Sequence, residues 1–271
     1  MKKAFTITEL LVAVGLLAVI LASCGVIFNY SINAMRTASA TSEIMRNLRA
    51  ITDQLDADFA GLRESDAKMF VGFSSSQDPP FADSIVFFAT GDFQTTNTYS
   101  GDIIRGNVAR IYYGQAGYIA GVCPNPLSPD EKDRRNKILA RKQVILAPAE
   151  PNFTDEYNPN SFFQEARESF DEDTNTCSWL KQKPDIDPND EDDIPMYLAK
   201  GVDNFSIAVD NDVNSTNYSI EWWPQPGDRP TKFENRPKEY PDLIKFTFTL
   251  YDSKGILKNG RRFEYIVYIG K

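Results

Sequence analysis

The sequence predicts an α+β protein in which one long N-terminal helix packs on an antiparallel β-sheet. Three observations lead to this prediction. An uncharged apolar run fills residues 10–28, and an amphipathic helical stripe follows over residues 44–62. Beyond residue 72, short β-branched and aromatic segments are separated by Gly, Pro, Asn and Asp. We therefore expect half of the helix to lie in a membrane and half to lie on the sheet.

The apolar run is long enough to cross a membrane. At about 1.5 Å per residue its nineteen residues cover roughly 28 Å, close to the hydrocarbon thickness of a bilayer. Lys2 and Lys3 precede the run, so the positive-inside rule predicts a cytoplasmic N-terminus and export of everything after Tyr30. The alternative is a buried core helix, but such a helix is rarely apolar on every face.

The helix is expected to continue beyond the membrane. Apolar residues three or four positions apart form one stripe, which would pack on the sheet: Ile44, Leu48, Ile51, Leu55, Phe59 and Leu62. No Pro occurs between residues 1 and 77. One helix from about residue 6 to about residue 62, roughly 85 Å long, is predicted. Two helices with a joint near residues 29–31 are the alternative.

The β part begins after residue 72. Segments with strand character lie at residues 84–89, 108–113, 144–146, 204–209, 243–251 and 263–269. Several of them alternate apolar and polar residues, which indicates antiparallel strands with one solvated face. Turn residues at 252–255 and 259–260 predict a hairpin between the last two strands. We expect one antiparallel sheet of six to nine strands.

The composition excludes several function classes. The 271 residues include no His, which rules out Ser-His-Asp and Cys-His catalysis and His-ligated zinc. The net charge of −9 argues against a nucleic-acid partner, because binding to a phosphate backbone needs a basic surface. We expect a non-enzymatic protein without a cofactor. The enzymatic alternative would place a carboxylate or metal site in the acidic segment described next.

A long acidic loop insertion is predicted at about residues 115–195. Residues 150–193 hold fourteen acidic and three basic side chains together with many Pro, Asn and Ser, which disfavours long ordered elements. Asp185, Asp187 and Asn189 form a candidate site for a structural Ca²⁺. Asp190 stands where an EF-hand loop needs Gly, and Met196 where it needs Glu. A solvated run of charges is the alternative.

The three cysteines divide between the two halves of the chain. Cys24 lies in the apolar run, where a thiol behaves as a small hydrophobic group. Cys123 and Cys177 could form a disulfide in an oxidising compartment and tie the insertion to the domain. Two free thiols, or a cross-link to a partner, are the alternatives.

The N-terminus carries the most specific motif. Residues 3–14 read KAFTITELLVAV, in which a small residue and Phe5 precede an apolar run that is interrupted only by Glu9. An unpaired carboxylate in lipid would cost several kcal/mol, so Glu9 should have a partner. The motif resembles the type III signal of type IV prepilins and type II secretion pseudopilins, although Ala4 stands where the family usually has Gly.

This resemblance implies how the N-terminus is processed. A prepilin peptidase would cut between Ala4 and Phe5 and methylate the new amine of Phe5, and Glu9 would pair with the amine of a neighbouring subunit during assembly. The implied fold is pilin-like. It comprises a leader at residues 1–4, a membrane half of the helix at 5–30, an exported half at 31–63, and a periplasmic β domain at 64–271 that includes the acidic loop insertion.

The later part of the chain is most similar to the J-class minor pseudopilin. The blocks that carry this similarity are LAKGVDNF at 198–205, WWP at 222–224 and YPDLIKF at 240–246. The resemblance implies a non-enzymatic inner-membrane subunit that helps to initiate or cap the pseudopilus tip for protein export. Its implied partners are the prepilin peptidase, other minor and major pseudopilins, and the inner-membrane assembly platform. A minor pilin of a type IV pilus machine is the alternative.

A different signal overlaps the apolar run. Residues 21–24 read LASC and look like a bacterial lipobox, in which Cys24 would be lipidated and become the mature N-terminus. Glu9 inside the run and the apolar continuation at residues 25–28 count against this interpretation. So does the lack of a polar tether before the next helix.

Overall fold

The fold is α+β, with one long N-terminal helix and antiparallel sheets, as the sequence predicts. The computed structural model describes residues 7–62, 69–73, 81–99, 102–117, 130–145, 170–171, 176–177, 184, 186, 194–210, 222–224, 235–236 and 241–269. Helix α1 spans Ile7–Ala60, and a short helix α2 spans Glu131–Arg134. The 54 residues of α1 run without a break through positions 29–31, so the single-helix prediction is confirmed.

The strands, in chain order, are β1 Phe70–Gly72, β2 Ser84–Tyr99, β3 Asp102–Gln115, β4 Ile138–Ile145, β5 Phe170–Asp171, β6 Thr176–Cys177, β7 Tyr197–Lys200, β8 Val202–Asp210, β9 Trp222–Trp223, β10 Asn235–Arg236, β11 Leu243–Leu250 and β12 Arg261–Tyr268. A 3₁₀ turn, Ile194–Met196, precedes β7. Each predicted strand segment falls on one of these strands, and most of the strands are longer than predicted.

The strands form two main sheets, so the prediction of one sheet is wrong. A six-stranded sheet has the order β10-β1-β2-β3-β4-β7, and a four-stranded sheet has the order β12-β11-β8-β9. Strands β5 and β6 pair separately. The chain passes from one main sheet to the other at Gly201, which separates β7 from β8 and has a φ of +75°. Apolar alternation indicates which face of a strand is buried, but not which strands it joins.

The predicted C-terminal hairpin is confirmed. Strands β11 and β12 pair along their full length, from Leu243 opposite Tyr268 to Leu250 opposite Arg261. The loop between them turns at Gly255 and Gly260, which both have positive φ. Asp252 begins this loop and accepts hydrogen bonds from the backbone N–H groups of Ile256 (2.8 Å) and Leu257 (2.9 Å).

The core lies where α1 meets both sheets. The predicted stripe is correct, because Ile44, Ile51, Leu55 and Phe59 are buried and Leu48 and Leu62 pack against them. The Phe59 ring lies 4.3 Å from the ring of Phe87 in β2 and 5.8 Å from that of Phe246 in β11. The C-terminal half of the helix therefore joins the two sheets into one packed unit.

The predicted loop insertion at 115–195 is not irregular throughout. Helix α2 and strand β4 lie inside this range, and β4 pairs with β3 over seven residues. Charged side chains at 137, 141 and 142 conceal the strand in the sequence, because such residues are usually taken to be solvent-exposed. In the acidic segment that follows, Pro184 and Ile186 are buried among the described residues.

Candidate functional site

The N-terminal half of α1 lies outside the domain. Every side chain from Ile7 to Ser39 is exposed except that of Ile32, which is half-buried. Large apolar side chains along this half, such as Leu11 and Phe28, are more than half exposed. Apolar surface costs about 25 cal/mol per Å² in water, so such a helix needs an apolar environment. Among the described residues, α1 is the one helix long and apolar enough to cross a membrane.

Glu9 lies in the first turn of α1 with its side chain exposed. A carboxylate here is at the positive end of the helix dipole, which stabilises a negative charge. Its chain neighbours on the C-terminal side are Leu10, Leu11 and Val12, all exposed. Glu9 therefore presents a charge at the tip of an otherwise apolar surface. The predicted cleavage and methylation residues, Ala4 and Phe5, lie outside the described residues.

A helical neck, residues 29–39, connects the apolar half to the domain. At about 1.5 Å per residue its eleven positions separate the two by roughly 16 Å. The Thr37 hydroxyl donates to the carbonyl of Asn33 (3.0 Å), a bond within the helix. Since the helix is continuous here, the orientation of the apolar half follows that of the domain.

A buried ionic cluster attaches the last turns of α1 to the six-stranded sheet. We call it the Asp58 cluster, and its members are Gln54, Asp58, Tyr113 and Arg141. The Arg141 guanidinium holds the Asp58 carboxylate with two bonds, Nε to Oδ2 at 2.6 Å and Nη2 to Oδ1 at 2.7 Å. The Tyr113 hydroxyl donates to Oδ2, and Gln54 Nε2 donates to Oδ1 at 3.1 Å. Asp58 is 3% exposed, so the pair is desolvated.

The cluster fixes the protonation of Tyr113 and Arg141. Burial raises the pKa of Tyr113 well above its ordinary value, and the adjacent charge of Asp58 adds to this effect. Burial alone would lower the pKa of Arg141, but the hydrogen bond and charge of Asp58 outweigh burial and raise it. The tyrosine is therefore a neutral donor and the guanidinium a permanent cation. Such a bidentate pair restricts both the distance and the angle between helix and sheet.

Further polar contacts follow α1 along the domain. Glu43 accepts from the backbone N–H of Ser253 (3.1 Å) and from its hydroxyl (3.2 Å). The Tyr265 hydroxyl in β12 donates to Asp56 (2.5 Å). Burial, together with this bond, raises the pKa of Tyr265 to about 12. These contacts bind the helix to the C-terminal hairpin, whereas the Asp58 cluster binds it to the six-stranded sheet.

A second buried charge pair supports the junction of the two sheets. Lys137 Nζ lies 2.6 Å from Asp203 Oδ1, and the lysine side chain is 1% exposed. Burial lowers the pKa of Lys137, and the bond to Asp203 offsets part of that effect. The Lys137 carbonyl accepts from the N–H of Gly201 at 2.8 Å, at the point where the chain changes sheets. The pair is buried at the junction of the two sheets, where Arg134 also approaches Asp203, Nε to Oδ2 at 3.5 Å.

The remaining predicted site residues are not brought together by the described structure. Asp185, Asp187, Asn189 and Cys123 lie outside the described residues, and only the backbone of Cys177 is described, opposite Phe170. Cys24 is an exposed free thiol on α1. Within the described ranges, no three His, Cys, Asp or Glu residues are arranged to hold a metal ion.

Comparison with protein-family models, with characterised proteins and with solved structures gave no match. The candidate site, the exposed apolar half of α1 headed by Glu9, is therefore argued from the geometry of this chain. Sequence reasoning identified the apolar stripe but missed Asp58, and the role of Glu9 stays a prediction. The sequence does contain a signal for Asp58. This residue lies three positions after Leu55 and seven after Ile51, a spacing that places it on the buried face of the helix.

Proposed function

We propose that this chain is a membrane-anchored, non-enzymatic assembly subunit of the prepilin type, and specifically a minor pseudopilin of a type II secretion system. The single observation that carries the proposal is the division of α1. Its N-terminal half is apolar, exposed and headed by Glu9, while its C-terminal half is buried in a folded domain. A helix of this form suits a subunit that is first inserted in a membrane and is later assembled into a fibre, where it packs beside identical or related helices.

In this proposal Glu9 sets the register of assembly. Two charges buried together in an apolar medium favour the one alignment that pairs them, even where the pair adds little stability. Cleavage after Ala4 would create the amine of Phe5, four residues from Glu9, on each incoming subunit. The amine of one subunit and the carboxylate of its neighbour would then neutralise each other within the fibre.

The first test is the mature N-terminus of the protein extracted from membranes. Intact mass and N-terminal peptide sequencing should find a chain that begins at N-methylated Phe5. A chain that begins at a lipidated Cys24 would refute the proposal and indicate a lipoprotein. An uncleaved Met1 in cells with an active prepilin peptidase would also count against it.

The second test addresses Glu9. Glu9→Gln keeps the size of the side chain and removes its charge, so the variant should reach the membrane and be cleaved but should fail to enter assembled fibres. Thr8→Ala, a change at the neighbouring position, is the matched control and should assemble normally. Normal incorporation of the Glu9→Gln subunit would contradict the register role.

Assays of protein secretion and of surface pili distinguish the two family alternatives. A strain without this chain should retain its secreted proteins in the periplasm and keep its surface pili, if the chain is a minor pseudopilin. Loss of surface pili with normal secretion would instead assign it to a type IV pilus machine. The J-class similarity at residues 198–205 and 240–246 favours the first outcome.

A further inference from the structure

A groove lies at the base of the domain, where α1 leaves it. It has a volume of about 590 Å³ and is lined by Ile32, Met35, Arg36, Ser39, Lys254 and Ile256. We call it the neck groove. One wall is the helical neck and the other is the loop of the β11–β12 hairpin. Its volume lies within the range of small-molecule binding sites.

The wall formed by the hairpin loop is rigidly held. Asp252 fixes the loop from within through its bonds to the N–H groups of Ile256 and Leu257. Glu43 fixes it to the helix through the N–H and hydroxyl of Ser253. The neck groove is therefore formed before any ligand arrives, which lowers the entropic cost of binding.

The position of the neck groove places it at a membrane surface. If the apolar run ends at Phe28, Ile32 lies about 6 Å beyond the hydrocarbon edge and Arg36 about 12 Å beyond it. The headgroup layer is roughly 5 to 8 Å thick. Helical side chains point back toward the N-terminus of their helix, so the guanidinium of Arg36 is directed toward the lipid phosphates.

The lining matches one kind of occupant. Arg36 and Lys254 are exposed cations, whereas Ile32, Met35 and Ile256 are apolar. We propose that the neck groove binds an anionic phospholipid of the leaflet on the domain side. The two cations would hold its phosphate, and the apolar side chains would contact the glycerol and ester region of the same lipid. The bound lipid would seat the domain on the membrane before assembly.

This inference rests on the membrane anchoring that the proposed function assumes, and the test separates the two. The full-length protein is reconstituted into vesicles of phosphatidylcholine with or without phosphatidylglycerol. The lipids that remain bound after extraction are then counted by native mass spectrometry. Failure to insert into any vesicle would refute the anchoring itself, and with it both proposals.

For a protein that inserts, we expect phosphatidylglycerol to be enriched over phosphatidylcholine. Arg36→Gln combined with Lys254→Gln should reduce this enrichment about fivefold for each charge removed. The matched control is Arg46→Gln combined with Lys258→Gln, which removes the same charge from exposed residues outside the neck groove. It should retain the enrichment.

Three results would overturn the inference. The first is equal retention of the two lipids by the unaltered protein, and the second is equal loss of enrichment in the groove and control variants. The third is a groove variant that abolishes self-association in phosphatidylcholine alone, because the neck groove would then receive a second copy of the chain. Melting temperatures of both variants close to that of the unaltered protein would confirm that the comparison is between folded proteins.

Discussion

Removing Arg141 from the Asp58 cluster should destabilise the domain strongly. In Arg141→Met the Asp58 carboxylate stays in place, 3% exposed, with only Tyr113 and Gln54 as the remaining donors of the cluster. Breaking a buried ion pair by removing one partner costs about 3–5 kcal/mol, because an uncompensated charge is left behind. The Arg141 side chain is 14% exposed, so water can reach part of the vacated space. We therefore expect a loss of about 3 kcal/mol, at the lower end of the range.

Replacing the whole cluster should recover most of that loss. The triple variant Asp58→Leu, Tyr113→Phe, Arg141→Met leaves neither a buried charge nor a buried hydroxyl without a partner. Apolar replacement of buried ion pairs is often neutral or stabilising. Tyr113→Phe belongs in the set because the buried hydroxyl would otherwise cost about 1–3 kcal/mol. The triple variant should therefore be more stable than Arg141→Met alone.

The assay is equilibrium urea unfolding of the full chain in detergent micelles, followed by tryptophan fluorescence. Free energies come from the midpoint and slope of the transition. Arg262→Met is the matched control. Its pair with Glu264 has a similar separation of 3.0 Å but both side chains are more than half exposed. It should cost less than about 1 kcal/mol. An Arg141→Met loss no larger than that of the control, or a triple variant as unstable as Arg141→Met, would refute the argument.

Three further predictions use the same unfolding assay. Phe59→Ala should cost about 3–5 kcal/mol of unfolding free energy, because the ring fills the space between Phe87 and Phe246. A loss below about 1 kcal/mol would contradict this, since it would mean that the two sheets close the space left by the ring. Gly201→Ala should cost about 1–3 kcal/mol, because φ is +75° at this position and an added Cβ would lie 2.5 Å from the carbonyl oxygen of Tyr251. Gly15→Ala is its control. An added Cβ there would have no atom within 4 Å, so this variant should be nearly neutral. Burial raises the pKa of Asp252, but the N–H groups of Ile256 and Leu257 outweigh burial and lower it. Stability should therefore fall as the pH drops below about 3.9 and through the folded pKa, and Asp252→Asn should weaken this dependence. An unchanged pH dependence in Asp252→Asn would contradict the role of Asp252.

The sequence determined the helical part of this fold well because its signals are local. A stripe spaced by three and four residues and a Pro-free run predict α1 without knowledge of its partners. The C-terminal hairpin was equally accessible, since two glycine turns join adjacent, alternating strands. Glu9 could be proposed as a site for the same reason, because a single charge within an apolar run is visible in the sequence alone.

Nonlocal features could not be predicted in this way. Strand β2 is buried on both faces, with Ile85 and Phe87 on one and Val86 and Phe88 on the other, so its pattern does not indicate which sheet covers it. Strand β4 was only partly recognised because Arg141 lies within it and is paired rather than solvated. Asp58 was overlooked because a carboxylate on an apolar stripe normally signals an error in the stripe. In each case the sequence does not show what the residue contacts, whether a second sheet or an oppositely charged side chain. Only the tertiary structure shows this.

The position of the Asp58 cluster connects the fold to the proposed assembly role. A slip of α1 by one residue against the sheet would move its apolar half by about 1.5 Å and rotate it by about 100°. A rotation of that size would expose the apolar stripe, but the stripe opposes smaller shifts and tilts of the helix only weakly, since hydrophobic contacts are not directional. The bidentate pair between Asp58 and Arg141 is directional, so it selects one alignment. Because α1 is continuous from Ile7 to Ala60, that selection also fixes the direction in which Glu9 faces relative to the domain. A subunit that pairs Glu9 with a neighbour and also docks its domain on that neighbour needs both surfaces in one fixed relation, and a buried charge pair at the far end of the helix provides it.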